Sequence, residues 1–468
     1  MSVARNRPLA EIDKASVFHP VTSIGAHLER GPFIVESGDG CRIIDRAGNS
    51  YIDAAAGLWC VNVGYGRETL ARAMYGETKR MGYYHTFRHA SNAPQIELAD
   101  KVLEILWQHA GITNASRIFF GCTGSDANDT QIKIAWFYNN IRGKPEKKKI
   151  ISRRGAYHGV TLGAGSLTAI DYYRNWFDLP LDFALQVSAP HYYRSAEEGE
   201  SEEEYSERLA NELEATILAE GPDSIAAFIA EPIVGTGGVL VPPRGYFDRV
   251  QKLLRDYDIL FIVDEVICGF GRVGHWFGST LYNLEPDLMT LAKGLTSGYF
   301  PLSAVVVSES VWEVLKSGSS KAGDFAHGFT YSGHPVGCAV GLANLRIIED
   351  EGLVENAAQV GSFLKQALSQ RLGQHEFVGE IRGEGLMLAV ELVRDRDNKQ
   401  GFDPALTVNA RVAEKAAENG LLVRSLPGGC VNSFSPPLTI SRDDAEQVAD
   451  IYADTVNAVT QALSCAPC

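Results

Sequence analysis

No stretch of the 468-residue sequence approaches the about 18 consecutive apolar residues that span a bilayer, and the opening segment MSVARNRPLAEIDKASVF has no apolar signal-peptide core. These two absences predict a cytoplasmic protein without a membrane partner. Positive charge is also short: 43 Lys and Arg against 58 Asp and Glu leave a net −15. A surface of that sign opposes nucleic acid, whose phosphates must be neutralised by clustered cations, so the expected partner is a small molecule. The eight cysteines are scattered, at Cys41, Cys60, Cys122, Cys268, Cys338, Cys430, Cys465 and Cys468, in a chain long enough to bury a core without crosslinks. They are expected as reduced thiols. No internal repeat, low-complexity tract or metal-ligand set is assigned. A composition of 45% hydrophobic and 22% charged residues excludes the collagen, coiled-coil and disordered classes.

What the sequence does contain is an alternation of short apolar runs with helical segments. Arg117–Phe120, Lys149–Ser152, Ala226–Ala230, Leu260–Val263, Leu288–Ala292 and Ala304–Ser308 read as strands, nearly all-apolar as strands buried on both faces are. Helices are expected at Pro94–His109, Asp126–Asn140, Glu207–Ala219 and Tyr246–Tyr257, with the acidic run Glu197–Glu204 a solvated helix start. This alternation predicts an α/β fold, a parallel sheet covered by helices. The outer thirds differ. Residues 36–53 read as a small meander, with Ile34–Val35, Arg42–Asp45 and Tyr51–Asp53 around turn signals at Asp39-Gly40 and Ala47-Gly48-Asn49. From Pro335, helices Val336–Glu349, Leu353–Leu372, Pro404–Glu418 and Arg442–Leu463 flank strands near Glu376–Arg382, Leu386–Leu392 and Val431–Ser435, so a boundary is expected near 325–340.

Three apolar strands end in ionisable residues: Glu231 after IAAFIA, Asp264 after ILFIV, and Lys293 after Leu288–Ala292. Burial penalises each charge, so each needs a partner or a task. A structural ion pair serves an acid as well as catalysis does, but open α/β sheets bind ligands at the carboxyl ends of their strands. A buried lysine with a depressed pKa suits a Schiff-base nucleophile, and an acid beside it suits a pyridinium nitrogen; pyridoxal phosphate needs both. Gly121-Cys-Thr-Gly124-Ser125-Asp126, between a strand and a helix, offers backbone N–H groups and the Ser125 hydroxyl to a phosphate, although Thr123 or Ser125 serving as an ordinary cap explains it too. Tyr157-His158-Gly159 offers an aromatic face. Gly269–Gly274 is formally a G-x-G-x-x-G and makes an NAD-dependent oxidoreductase the competing reading, but two carboxylates separate it from its strand and no helical period follows it.

In combination and order, TGSDANDT, AYHG, AEP, VDEVICGFGRVG, LAKGLTSGYFPLSA and GFTYSGHP resemble the class III aminotransferases, the ω-transaminases among fold-type I pyridoxal-phosphate enzymes. The resemblance runs nearly end to end. It implies a large, mostly parallel sheet domain over 71–330 and a smaller α+β domain built from both termini, 1–70 and 331–468. It implies that Lys293 bonds the cofactor and shuttles a proton, that Asp264 pairs with the pyridine nitrogen, and that Val266 and Tyr157 pack on the two ring faces. Gly124 and Ser125 would hold the phosphate, Thr330 would reach it from a neighbouring subunit in a homodimer or a tetramer, and Glu231 would order the site, contacting Ser125 or a mobile arginine. Trp59 and Phe87 match aromatic walls of the substrate pocket, and Arg424 matches an arginine that binds a substrate carboxylate. The implied activity is ping-pong amino transfer from an amine or ω-amino acid to a keto acid, pyruvate. A same-fold aminomutase or decarboxylase is the alternative.

Overall fold

The computed structural model describes residues 7–464, so Cys465 and Cys468 lie outside it. Its central sheet has seven strands: β1 (Ala115–Gly121), β2 (Lys149–Arg153), β3 (Ala184–Val187), β4 (Ile225–Ala230), β5 (Leu260–Asp264), β6 (Leu288–Leu291) and β7 (Ser303–Ser308), in the order β1-β7-β6-β5-β4-β2-β3. Every residue of β4, β5, β6 and β7 is buried, as their all-apolar sequences require. The partly exposed strand β3 lacks that signature, and the sequence reading does not anticipate it. Strands β2 to β6 pair in parallel, but β7 is antiparallel to both β1 and β6, so the sheet is mixed. The link from β6 to β7, residues 292–302, is too short to carry the helical crossover that a parallel pairing needs.

Because β7 separates β1 from β6, those two strands run in the same direction. The carboxyl ends of β1, β2, β4, β5 and β6 therefore gather at one edge of the sheet, where open α/β folds bind ligands. A second sheet joins the two ends of the chain: Val35–Asp39, Arg42–Asp45 and Ser50–Asp53 form the expected meander, and Leu421–Leu422 pairs in parallel with Ser50–Asp53. A third contains Val378–Glu384, Met387–Leu392, Val431–Phe434 and Arg424–Ser425. One apolar cluster runs through Ile52, Leu98, Leu291, Leu388 and Tyr452, so residues from both chain ends share a core with the central sheet.

Two helices differ from expectation. The segment expected as Pro404–Glu418 is a short 3-10 turn, Pro404–Leu406, followed by an α-helix over Val408–Glu418, because Thr407 adopts a left-handed conformation between them. The helix expected at Glu207 begins at Glu202, where Ser201 and Glu204 form a reciprocal capping box; capping, rather than apolar period, sets its start. The six cysteines among the described residues are free thiols. No helix among these residues is long and apolar enough to cross a membrane.

Candidate active site

The gathered strand ends enclose a cavity of about 340 Å³. The loop after β1 supplies Thr123, Gly124 and Ser125, that after β2 supplies Tyr157 and His158, and β4, β5 and β6 supply Glu231, Asp264 and Lys293. Val266 lies on the same wall, so eight of the residues singled out in the sequence meet in one hollow: Gly124, Ser125, Tyr157, Glu231, Asp264, Val266, Lys293 and the capping Thr123.

Lys293 follows β6 in a left-handed conformation, φ 45°, that lysine rarely adopts and that tends to persist only where a surrounding structure enforces it. Among the described residues its ammonium has no hydrogen-bond or ion-pair partner. Burial pushes its pKa down, opposed by Cys60, Asp264 and Glu231, whereas Arg424 adds to the depression. An amine held this way is closer to the neutral, nucleophilic form than a surface lysine is.

Asp264 is 3% exposed. Its Oδ2 accepts from Asn128 Nδ2 at 2.8 Å and faces His158 Nδ1 at 2.8 Å, and its Oδ1 accepts only the Val266 N–H at 3.1 Å, leaving capacity toward the cavity. The carboxylate faces His158 Nδ1, whose N–H tautomer would donate to it; the buried Nε2 has no partner among the described residues. Asn128 is held in turn by Thr290, whose hydroxyl donates to its Oδ1 at 2.6 Å. The sequence reading missed Asn128, His158 and Thr290 as supports of Asp264. A signal for Asn128 was present: it lies one helical turn after Gly124, on the helix face that starts at the cavity.

The helix Gly124–Ile141 is capped by Thr123, whose hydroxyl accepts from Asp126 N, while the Asp126 carboxylate takes the N–H groups of Cys122 and Thr123. Capping thus falls to Thr123 and not to Ser125. The N–H groups of Gly124 and Ser125 keep no acceptor among the described residues, and the Ser125 hydroxyl accepts only a 3.2 Å bond from Val160 N. This is a place for a dianion at a helix N-terminus. The loop after β2 closes on it through Gly159, φ 137°, where a Cβ would stand 2.5 Å from Ser125 Oγ.

Glu231 is buried against the backbone: its carboxylate accepts from Tyr157 N at 3.2 Å and Gly235 N at 2.7 Å. It does not bond Ser125 or Arg424, the contacts that resemblance suggested; it anchors the segment carrying Tyr157 instead. Burial raises its pKa, with His158 opposing. Trp59 is 1% exposed, with φ 60°, and packs among Ile233, Ile267 and Met387 beside the cavity; its neighbour Cys60 is on the cavity wall. The Arg424 guanidinium lies 5.9 Å from the Trp59 ring centroid and close to the phenols of Tyr173 and Tyr157; burial lowers its pKa and those phenols oppose the shift.

Phe87 and Thr330 stand outside this cavity. Phe87 is 44% exposed and neighbours His85, which stacks on Tyr84, with ring centroids 6.0 and 4.5 Å apart; Thr330 is exposed, and Tyr83 donates to its carbonyl at 2.8 Å and packs edge-on against Tyr331 at 5.6 Å. Gly269–Gly274 opens no nucleotide-binding helix. Glycines are needed there because Leu438 and Ala358 pack against the backbone of Gly271 and Gly274, so the turn is a packing joint between the central sheet and the C-terminal elements.

The cavity thus offers a buried amine without a partner among the described residues, a carboxylate fixed by three neighbouring nitrogens, and a dianion cradle. These are the three groups that pyridoxal phosphate requires, and the residues fit it.

Residues 25–456 match the family described as aminotransferase class-III. The diaminobutyrate–2-oxoglutarate transaminase of Halomonas elongata is 46% identical over 98% of this chain and 98% of its own. A transaminase from directed evolution by ancestral reconstruction superposes with a TM-score of 0.94 at 50% identity, covering 97% of this chain and 98% of that one. The ω-transaminase of Pseudomonas jessenii in complex with PMP superposes with a TM-score of 0.95 at 45% identity over 98% and 99%. With matches of that extent, this chain belongs to the class III aminotransferases, fold-type I enzymes whose cofactor is pyridoxal phosphate.

Proposed function

We propose that this transaminase takes its amino group from an amine or ω-amino acid and gives it to pyruvate. The observation that carries the reading is the buried amine of Lys293, without a partner among the described residues, in one cavity with Asp264 and a dianion cradle. Pyridoxal phosphate, when bound, supplies the electron sink that stabilises a substrate carbanion. In this reading the Lys293 amine would hold the cofactor and would move the proton that amino transfer relocates. Asp264, held by Asn128 and His158, would accept from the ring nitrogen of the bound cofactor and favour its protonated form. Gly124 and Ser125 would hold the phosphate, Tyr157 and Val266 would pack against the ring, and Glu231 keeps Tyr157 in place through its backbone N–H. Trp59 and Ile267 belong to one apolar cluster beside the cavity.

The cations around the cavity bear on which acceptor it takes. Among the described residues that line the cavity, Lys293 is the sole Lys or Arg; Arg424 lies beside it against Trp59, whereas Arg272, near Cys60, is engaged by the Leu386 and Pro436 carbonyls and Asn62. One arginine suits one carboxylate, because its fork binds it bidentately; a dicarboxylate acceptor calls for a second cation. Pyruvate is therefore the favoured acceptor, and a relative named for 2-oxoglutarate supplies the competing outcome. With a fixed amine donor, kcat/KM for pyruvate is expected to exceed that for 2-oxoglutarate. Arg424→Ala is expected to raise KM for pyruvate by about 10-fold or more, the loss of one charge-assisted pair, while sparing an apolar amine donor. A preference for 2-oxoglutarate overturns the pyruvate assignment.

We also infer a homodimer, supported by the exposed aromatic surface of Tyr83, Tyr84, Phe87 and Tyr331 around Thr330, a cluster larger than scattered surface residues require. In such a dimer Phe87 and Thr330 complete the partner's site. Mass photometry is expected to give twice the 51.0 kDa of one chain. A fully active monomer refutes the dimer, and a fourfold mass replaces it with a tetramer.

A further inference from the structure

We propose that Asp13, His19 and His27 form a binding site for a divalent transition-metal ion of the zinc, nickel or copper type, remote from the catalytic cavity in sequence and built within the first thirty residues. Asp13 lies in the helix Leu9–Ser16, His27 in the helix Ile24–Arg30, and His19 in the link between them. The three side chains converge on one point. His19 Nε2 stands 3.0 Å from both Asp13 oxygens and His27 Nε2 2.9 Å from Oδ1; the two imidazole centroids are 4.3 Å apart, and the ligand atoms all lie within 4.8 Å of one another.

Hydrogen bonding alone does not account for this geometry. His27 Nε2 is buried and, although 2.9 Å from a carboxylate oxygen, is not aligned with it for a hydrogen bond, so the nitrogen has no hydrogen-bond partner among the described residues. A shared cation uses both nitrogen lone pairs and the carboxylate together. Two imidazoles and one carboxylate favour zinc, copper or nickel over magnesium and calcium, which take oxygen ligands. Tetrahedral zinc, with bonds of about 2.0–2.1 Å, sets its ligand atoms about 3.3 Å apart, so each histidine needs to move from the Asp13 carboxylate by only a few tenths of an ångström. Side-chain exposures of 31% for His19, 20% for Asp13 and 12% for His27 leave an open side for ion entry and a water ligand.

The fold gives such an ion something to do. Neither helix contains a buried residue, so apolar packing holds this segment weakly, and an ion shared by both helices and their link would staple it. The other cluster of suitable ligands, His191, Glu380 and Glu391, does not compete: Glu380 and Glu391 both take Arg382, and Glu391 also takes Arg194.

The test uses untagged holoenzyme stripped with a chelator and then titrated with Zn²⁺ by calorimetry, with native mass spectrometry for stoichiometry. One ion per chain is expected, together with Zn²⁺-dependent protection of the first thirty residues from limited proteolysis. His27→Ala is expected to weaken binding by about 10-fold or more, and a His19→Ala/His27→Ala double variant to abolish it, with the visible cofactor spectrum unchanged as a check of folding. If the double variant retains the wild-type stoichiometry, or if the wild-type protein shows no saturable Zn²⁺ binding, the cluster is a hydrogen-bonded staple without metal and the proposal fails.

Discussion

Lys293→Ala is expected to lower kcat/KM for amino transfer by about 10⁴-fold or more, the upper range for loss of a positioned proton carrier with the added loss of a covalent nucleophile. The side chain donates to no group among the described residues, so its removal leaves no buried acceptor orphaned, and the melting temperature of the apoprotein is expected to stay close to that of the parent. Truncation also relieves the burial of a charged amine, which in the native protein pushes the Lys293 pKa down. Two measurements separate loss of chemistry from loss of structure: steady-state kinetics with an amine donor, and the visible spectrum after borohydride treatment, which fixes a covalent cofactor in the parent and leaves the variant unlabelled. Turnover within tenfold of the parent, or borohydride-stable labelling of the variant, sinks the assignment.

Asp264→Asn comes second, with an expected loss on the order of 10²–10³ in kcat, comparable to removal of one preorganised electrostatic group from an active site. The substitution preserves shape but not donor–acceptor logic. Asp264 accepts from Asn128 and Val266 and faces the His158 ring nitrogen. An amide placed there turns a donor toward one of those donors, so a stability loss of about 1–3 kcal/mol accompanies the kinetic defect. The half-reaction with amine alone discriminates: the amine-dependent spectral change is expected to slow by the same factor as kcat, because the charge acts on carbanion formation. If kcat falls less than threefold, Asp264 is a structural acid held by its neighbours, the reading its burial alone permits.

The residues that end buried strands were legible from local pattern. An all-apolar run followed at once by Glu231, Asp264 or Lys293 announces an ionisable group where desolvation is costly, and the capping sequence at Thr123–Asp126 announces a helix start after a strand. Periodicity also placed the long helices of the central and C-terminal regions, because it records which face of an element is buried, but it did not pick out Glu68–Met81 or Glu309–Ala322, each with only two buried residues. It failed where backbone conformation or side-chain capping decided the boundary, at Thr407 and at Ser201. It could not give the direction of β7, since apolar content is the same for parallel and antiparallel buried strands and the link 292–302 decides between them.

By itself the sequence determined the chemistry on offer: an amine, two carboxylates and a phosphate cradle, each at the end of its own strand, in a chain whose net charge of −15 opposes anions unless local groups hold them. Tertiary structure alone decided which of these meet and what stands behind them. Asn128, His158 and Thr290 come from a helix, a loop and a strand far apart in the chain, yet they converge on Asp264 because parallel strands deliver their carboxyl ends to one edge. Arg424 reaches Trp59 because a strand from the C-terminal region pairs with one from the N-terminal meander, a contact that no local pattern records. The same separation of scales applies to Asp13, His19 and His27, whose irregular spacing signals no motif and whose convergence depends on how two short helices are set against each other.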